Sequence, residues 1–145
     1  GALCHDFGKA LTQKTWPKHY GHANLGIKPT VDFLSRLGMD SRIIENVAYL
    51  TKYHMHVHDA FKLKATTLIK MWRDAKCNLI LVSDLCRLGI CDHYGRGGVD
   101  PSEVYENPYH MLACFKIISG YAPDTLLTTN LKSIIRDIKE LRENV

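Results

Sequence analysis

The chain has 145 residues, 46% of them apolar and 23% charged, an ordinary composition for a globular domain with enough length to bury a core. No apolar run approaches the roughly 20 residues of a membrane span, and the start carries His5, Asp6 and Lys9 where a secretion signal would be apolar. A net charge of +4 and a pI near 8.8 admit an anionic partner such as a nucleotide or RNA without requiring one.

Five cysteines (Cys4, Cys77, Cys86, Cys91 and Cys114) are odd in number, spread out and free of any C-x-x-C. They read as reduced thiols of a cytoplasmic chain, mostly core filler, and not as a disulfide framework or a zinc ribbon.

Taken in order, the pattern is helical nearly throughout. Ala2 to Leu11 reads as the end of a helix, and the polar stretch Thr12 to Lys18, with Pro17, as a loop. Ile27, Val31, Leu34 and Leu37 recur at helical spacing, and Gly38 is a natural stop. Asp40 or Ser41 caps the next helix, whose stripe is Ile43, Ile44, Val47, Leu50 and Tyr53. Phe61 to Leu63 is a connector, and Thr66 or Thr67 caps a helix through Leu68, Ile69 and Trp72. Asn78 to Leu88 is an apolar run without alternation, predicted to be a buried helix and not a strand. Asp92 to Pro108, rich in Gly and Pro, reads as a loop. A helix over Pro108 to Ser119 follows, and Pro123 marks a break. Asn130 then caps an amphipathic helix carrying Leu131, Ile134, Ile135, Ile138 and Leu141. The expected fold is all-α: one compact helical bundle over residues 1–145, with candidate ligands at helix ends and in nearby loops.

Those ligands begin at Cys4-His5-Asp6-Phe7-Gly8-Lys9. Neutral imidazole beside carboxylate suits a borderline divalent metal, and adjacent ligands hold one ion or bridge two. His54 and His58, four apart on a helix, share a face and can reach one centre, with His56 pointing away toward solvent; the alternative is a pair of partly exposed histidines. In Pro17-Lys18-His19-Tyr20-Gly21-His22 a loop enters a helix, so His22 reads as a ligand or as a capping or surface residue, and the helix start suits a phosphate. Asp92-His93-Tyr94-Gly95-Arg96 offers a carboxylate to complete a metal shell and a guanidinium for phosphate, or else a helix-end turn with an exposed ion pair. Asp84, inside the apolar run, is the competing carboxylate; buried there, it needs a partner.

Leu3-Cys4-His5-Asp6-Phe7-Gly8-Lys9-Ala10-Leu11-Thr12, Trp16-Pro17-Lys18-His19-Tyr20-Gly21-His22, Tyr53-His54-x3-His58 and Asp92-x2-Gly95-Arg96 together resemble an HD-superfamily phosphohydrolase domain. The closest kind is the C-terminal HD domain of bacterial multifunctional CCA-adding tRNA nucleotidyltransferases. The resemblance runs over most of the chain. It implies a metal-dependent hydrolase of 2′,3′-cyclic phosphates, 2′-nucleotides and other phosphomonoesters, acting on nucleotides, RNA 3′ ends or tRNA. It also implies a divalent ion, nickel first, with manganese, cobalt or magnesium as alternatives. Carried over, His5 and Asp6 are core metal ligands and Asp92 is preferred to Asp84 as the last. His22, His54 and His58 are outer metal or phosphate ligands. His5, Asp6, Lys9, His54 and His58 form the catalytic set, and Lys9, Lys18, His19 and Arg96 are the substrate-binding candidates.

Two departures from the family pattern stand beside this. Its first metal histidine lies on a helix upstream of the His-Asp pair, before Gly1, and Met55 follows His54 where the family often has aspartate. They keep a second expectation open: a non-catalytic module that binds tRNA or nucleotide, or docks onto a nucleotidyltransferase catalytic portion. Hydrolysis of nucleoside triphosphates or alarmones, a third expectation, has no support from the Trp16-Pro17-Lys18-His19 loop.

Overall fold

The computed structural model describes residues 1–121 and 130–144. Among these residues seven α-helices follow one another: α1 (His22–Leu25, a single turn), α2 (Ile27–Arg36), α3 (Ser41–His58), α4 (Ala65–Asp74), α5 (Leu79–Tyr94), α6 (Asn107–Ser119) and α7 (Leu131–Glu143). Short 3₁₀ turns lie at Phe7–Leu11, Gln13–Thr15 and Ala60–Lys62, and there is no strand among the described residues. The all-α expectation is met. None of the described helices is long and apolar enough to cross a membrane.

The core forms where α3, α5 and α6 meet, at Val57, Val82, Leu85, Met111, Phe115 and Ile118. α4 adds Leu68, Met71 and Trp72, and α7 adds Ile134 and Ile138. Packing decides the conformation of the apolar run. β-Branched residues cost a helix a few tenths of a kcal/mol each, whereas burying a residue such as Val82 contributes roughly 1.5–3 kcal/mol. The run becomes α5, and the Asn78 side chain caps it by accepting from the amides of Ile80 (2.9 Å) and Leu81 (3.2 Å). Asp40 caps α3 in the same way, accepting from the Arg42 amide at 2.9 Å. α3 and α5 cross at Gly89, where a Cβ would stand 2.4 Å from Cγ1 of the buried Val57. That close approach sets His58, one residue beyond Val57, against Asp92, three beyond Gly89.

Several boundaries differ from the expectation. The segment before Leu11 is a run of turns closing in the Phe7–Leu11 3₁₀ turn, not the end of an α-helix, because Gly8 packs its backbone against another segment. α4 starts at Ala65, after an extended Lys64, with neither Thr66 nor Thr67 as its cap. α5 continues to Tyr94, so Asp92 and His93 belong to its last turn, and the connection begins only at Gly95. Asn130 holds the N-cap position of α7 without a side-chain cap bond. Ile43, expected in the buried stripe of α3, is exposed, since that stripe is fully covered only from Tyr49 onward, and Leu37, the last position of the preceding helical pattern, is exposed at the end of α2. Pro123 lies outside the described residues.

Candidate metal centre

Three imidazoles are set by one local device. In His5, His22 and His54 the Nδ1 atom lies 2.7, 2.8 and 2.7 Å from the carbonyl oxygen three residues earlier, of Ala2, His19 and Thr51 respectively. A carbonyl only accepts, so each Nδ1 carries the hydrogen. In the neutral ring each Nε2 then carries the lone pair, the tautomer that a metal ligand needs. The His22 and His54 Nε2 atoms face each other at 3.1 Å. Two lone pairs at that distance repel unless a cation lies against both.

The carboxylate of Asp6 closes this group, with Oδ1 3.3 Å from His22 Nε2 and 3.8 Å from His54 Nε2. Asp6, His22 and His54 thus present three ligand atoms within 4.8 Å of one another. On a tetrahedral ion with bonds of about 2.1 Å, ligand atoms stand about 3.4 Å apart, so these separations fit one ion. Burial, reinforced by the charges of His5 and His22, brings the pKa of His54 down to about 4, so its ring is neutral at pH 7.

Asp6 divides its oxygens between two neighbourhoods. Its Oδ2 lies 3.3 Å from His5 Nε2 and 2.5 Å from Lys9 Nζ. On the far side of His5, Asp92 Oδ1 is 3.7 Å away. Both carboxylates are near enough to charge the ring, yet buried His5 Nε2 makes no hydrogen bond to either, nor to any other described residue. Asp6 and then Asp92 raise the His5 pKa to about 10 against the opposing effect of burial. Burial disfavours an ionised Asp6, but His5 and Lys9 outweigh it and hold the carboxyl well below its ordinary range. His5, His58 and Arg96 do the same for Asp92.

His58 shares a helix face with His54 but serves the next station. Its Nε2 is 2.7 Å from Asp92 Oδ2, and Arg96 Nη2 lies 2.6 Å from the same oxygen. The hydroxyl of Tyr105 meets His58 Nδ1 at 2.6 Å. Since the carboxylate only accepts, a neutral His58 donates from Nε2 and accepts the Tyr105 hydrogen at Nδ1. Burial pushes the Tyr105 phenol up to about 12, so it remains a donor. Two neighbours hold Tyr105 in turn. His93 stacks on its ring at 3.9 Å, its amide donates to the Tyr94 hydroxyl at 3.3 Å, and that hydroxyl donates to the Glu103 carbonyl at 2.6 Å.

Of the sequence candidates, His5, Asp6, Lys9, His22, His54, His58, Asp92 and Arg96 therefore lie in one continuous cluster. Lys18 and His19 do not reach it. Lys18 Nζ sits 5.9 Å above the Tyr20 ring, and His19 is buried with Nδ1 3.0 Å from Thr12 Oγ1, touching the cluster only through the carbonyl that accepts from His22. Asp84 is not buried: 45% exposed, it pairs with Arg87 at 2.9 Å on the outer face of α5. His56 points away from the cluster as expected, but into a half-buried position against Tyr53 and not into solvent. Sequence reasoning missed Tyr105, an isolated aromatic in a stretch read as loop. Its only signal was an aromatic ring amid Gly, Pro and acidic residues.

No family model matches the chain, and no solved structure matches it. It is 35% identical over 115 residues to the multifunctional CCA protein of Haemophilus influenzae (strain PittGG), which covers 74% of this chain and 27% of that protein. It is 32% identical over 129 residues to that of Shewanella frigidimarina, covering 82% of this chain and 29% of that protein. With the Pasteurella multocida protein the identity is 42% over 72 residues, or 49% of this chain and 17% of that one. The chain spans less than a third of the length of these relatives. It is a domain related to one segment of the multifunctional CCA proteins.

Proposed function

We propose that the chain is a metal-dependent phosphohydrolase domain of the HD type that acts on nucleotide or RNA-end phosphates, 2′,3′-cyclic and 2′-phosphates first, in the cytoplasm and in tRNA processing. The observation that carries this reading is the convergence of Asp6, His22 and His54 on one point, with the Nδ1 of each imidazole, and of His5 beside them, held from behind by a carbonyl so that Nε2 faces the cluster. Asp6 Oδ1, His22 and His54 would hold one divalent ion, while Asp6 Oδ2, His5 and Asp92 form a second ligand group on the other side of the same carboxylate. Imidazole-rich donors favour nickel or cobalt over manganese and magnesium. Bound there, such an ion polarises a phosphoryl oxygen and lowers the pKa of water.

The chain's own residues supply the rest. Lys9 and Arg96, each about half exposed, are counter-ions to Asp6 and Asp92. Once the carboxylates serve a cation, both side chains are free to turn onto the phosphate and neutralise its developing charge. His58, with its Nδ1 satisfied by Tyr105 and its Nε2 hydrogen on Asp92, is placed to hydrogen-bond the departing oxygen from Nε2 and so spread its developing charge, while water supplies the proton that oxygen takes up. Protein purified without added metal should contain nickel or a related ion and hydrolyse 2′,3′-cyclic AMP. Preparations that neither bind nor respond to Ni²⁺, Co²⁺ or Mn²⁺ would end this reading.

Metal binding should strengthen with pH. At pH 7 a metal-free His5, with its pKa near 10, holds a proton that the ion must displace, whereas His54 is already neutral. Affinity for Ni²⁺ should therefore rise by up to about tenfold per pH unit from 6 to 9, with protons released on binding. Calorimetry in buffers of different ionisation enthalpy reads the proton count; a count of zero at pH 7 would contradict His5 as a ligand.

Tyr105→Phe removes the hydroxyl that holds His58 Nδ1 while leaving Asp6, His22 and His54 in place. The expected result is a five- to tenfold fall in kcat, with KM and metal content retained and a stability loss of about 1 kcal/mol. Steady-state kinetics beside metal analysis would separate this from simple unfolding.

A further inference from the structure

Two of the most exposed aromatic rings of the chain, Trp16 at 77% and Tyr20 at 67% accessible, stand within five residues of each other, immediately before the ligand His22. Leaving an indole in water forgoes more burial energy than almost any other exposed side chain. The loop that carries it is nevertheless tied by its own backbone. Backbone bonds join Thr15 to Thr12 (3.0 Å), Trp16 to Gln13 (3.1 Å) and Lys18 to Thr15 (2.9 Å). Trp16 also stands edge-on to the buried His19 ring, 5.5 Å between centroids at 82°. His19 in turn is fixed by Thr12 and gives its carbonyl to His22. The exposed indole is therefore linked to His22 through a single residue, His19.

Charge identifies the occupant. Between Asp6 and Asp32 there is no acidic residue, while Lys9, Lys14, Lys18 and Lys28 fall in that interval. Pre-set aromatic faces interleaved with lysines match single-stranded nucleic acid, whose bases stack on rings and whose phosphates follow the cations. Lys9 and Lys28 are paired with Asp6 and Asp32 at 2.5 and 2.6 Å, whereas Lys14 and Lys18, which flank Trp16, are in no ion pair among the described residues, and an apolar peptide would have no use for them.

We propose that the Thr12–Tyr20 loop is a stacking lip for single-stranded RNA, which presents an RNA 3′ end, and not a free mononucleotide, to the metal centre. Trp16 and Tyr20 take the bases behind the terminal phosphate, and Lys14 and Lys18 take the backbone. The proposal rests on the phosphohydrolase reading for the chemistry at the end of the lip, but not for the binding itself.

The binding test uses tryptophan emission. The chain has two tryptophans, and Trp72 is buried, so quenching by a bound base reports on Trp16. A five-residue oligoribonucleotide with a 3′-phosphate should quench the emission and bind more weakly as salt rises; the anisotropy of the same oligomer carrying a 5′ dye, which needs no tryptophan, should show a roughly tenfold loss of affinity in Trp16→Ala but little in Trp16→Phe. In hydrolysis, the ratio of kcat/KM for the same oligomer ending in a 2′,3′-cyclic phosphate to that for 2′,3′-cyclic AMP should fall about tenfold in Trp16→Ala and in Tyr20→Ala. Quenching without turnover on any metal would support the lip and defeat the hydrolase reading. Turnover of the cyclic mononucleotide with no quenching, or with Trp16→Ala binding the oligomer as tightly as the parent, would overturn the lip and leave the hydrolase reading standing. Capture of an apolar peptide in place of the oligomer would overturn it as well.

Discussion

Asp6→Ala is expected to strip the protein of bound metal and lower kcat/KM on 2′,3′-cyclic AMP at least about a thousandfold, the equivalent of roughly 4 kcal/mol of transition-state stabilisation. No other side chain touches so many partners in the cluster. One oxygen faces His22 and His54 at 3.3 and 3.8 Å, and the other faces His5 at 3.3 Å and Lys9 at 2.5 Å. Without it, three imidazoles and an ammonium are left with Asp92 as their nearest anion, and a dication entering among them meets little to offset its charge. Asp6→Asn separates charge from shape. It keeps an oxygen in place and should retain weak metal binding at high Ni²⁺, with activity partly restored there, whereas Asp6→Ala should show neither. Elemental analysis of both variants beside the parent is the measurement. Stoichiometric metal in Asp6→Ala would show that the His22–His54 contact has another purpose.

The residues of this cluster were legible in the chain, but the way they divide was not. The i, i+4 spacing put His54 and His58 on one face of α3, and the structure keeps them there. Four residues nonetheless rise about 6 Å, enough to send one ring to Asp6 and the other to Asp92. Asp92 was read as part of a glycine-rich loop because Gly95, Gly97 and Gly98 follow it. The helix runs on to Tyr94, so Asp92 is carried by a rigid element that crosses α3 tightly at Gly89. Asp84 looked buried from its apolar neighbours, but α5 turns that position outward to Arg87. The carbonyl behind each imidazole had no sequence signal, since any residue three positions earlier supplies one. Tyr105 depends on a long-range contact with His58 that no local pattern encodes.

Gly8→Ala should be nearly as damaging as loss of a ligand, although Gly8 bears no chemistry. A Cβ on Gly8 would fall 1.9 Å from the carbonyl oxygen of His22 and 2.7 Å from the amide nitrogen of Gly26. Neither is the yielding tip of a side chain. That carbonyl accepts from the Gly26 amide at 2.8 Å, the bond that closes α1, so the methyl group has no room unless the His5–Lys9 segment or α1 moves bodily. Overpacking a tight site costs about 1–3 kcal/mol when side chains can adjust, and the backbone contacts here place the expected loss at about 3 kcal/mol or more. The displacement acts on the line between Asp6 and His22, which stand only 3.3 Å apart. A shift of even 1 Å there should lower Ni²⁺ affinity by at least tenfold in whatever fraction remains folded. Gly21, where an added Cβ would meet nothing within 4 Å, is the control. With a φ of +76°, its alanine variant carries backbone strain of about 1 kcal/mol and should keep its metal. Urea unfolding and metal titration of the two variants should diverge accordingly. If Gly8→Ala matched Gly21→Ala in both, the close approach of the Asp6 segment to α1 would not be what holds the ligands in register.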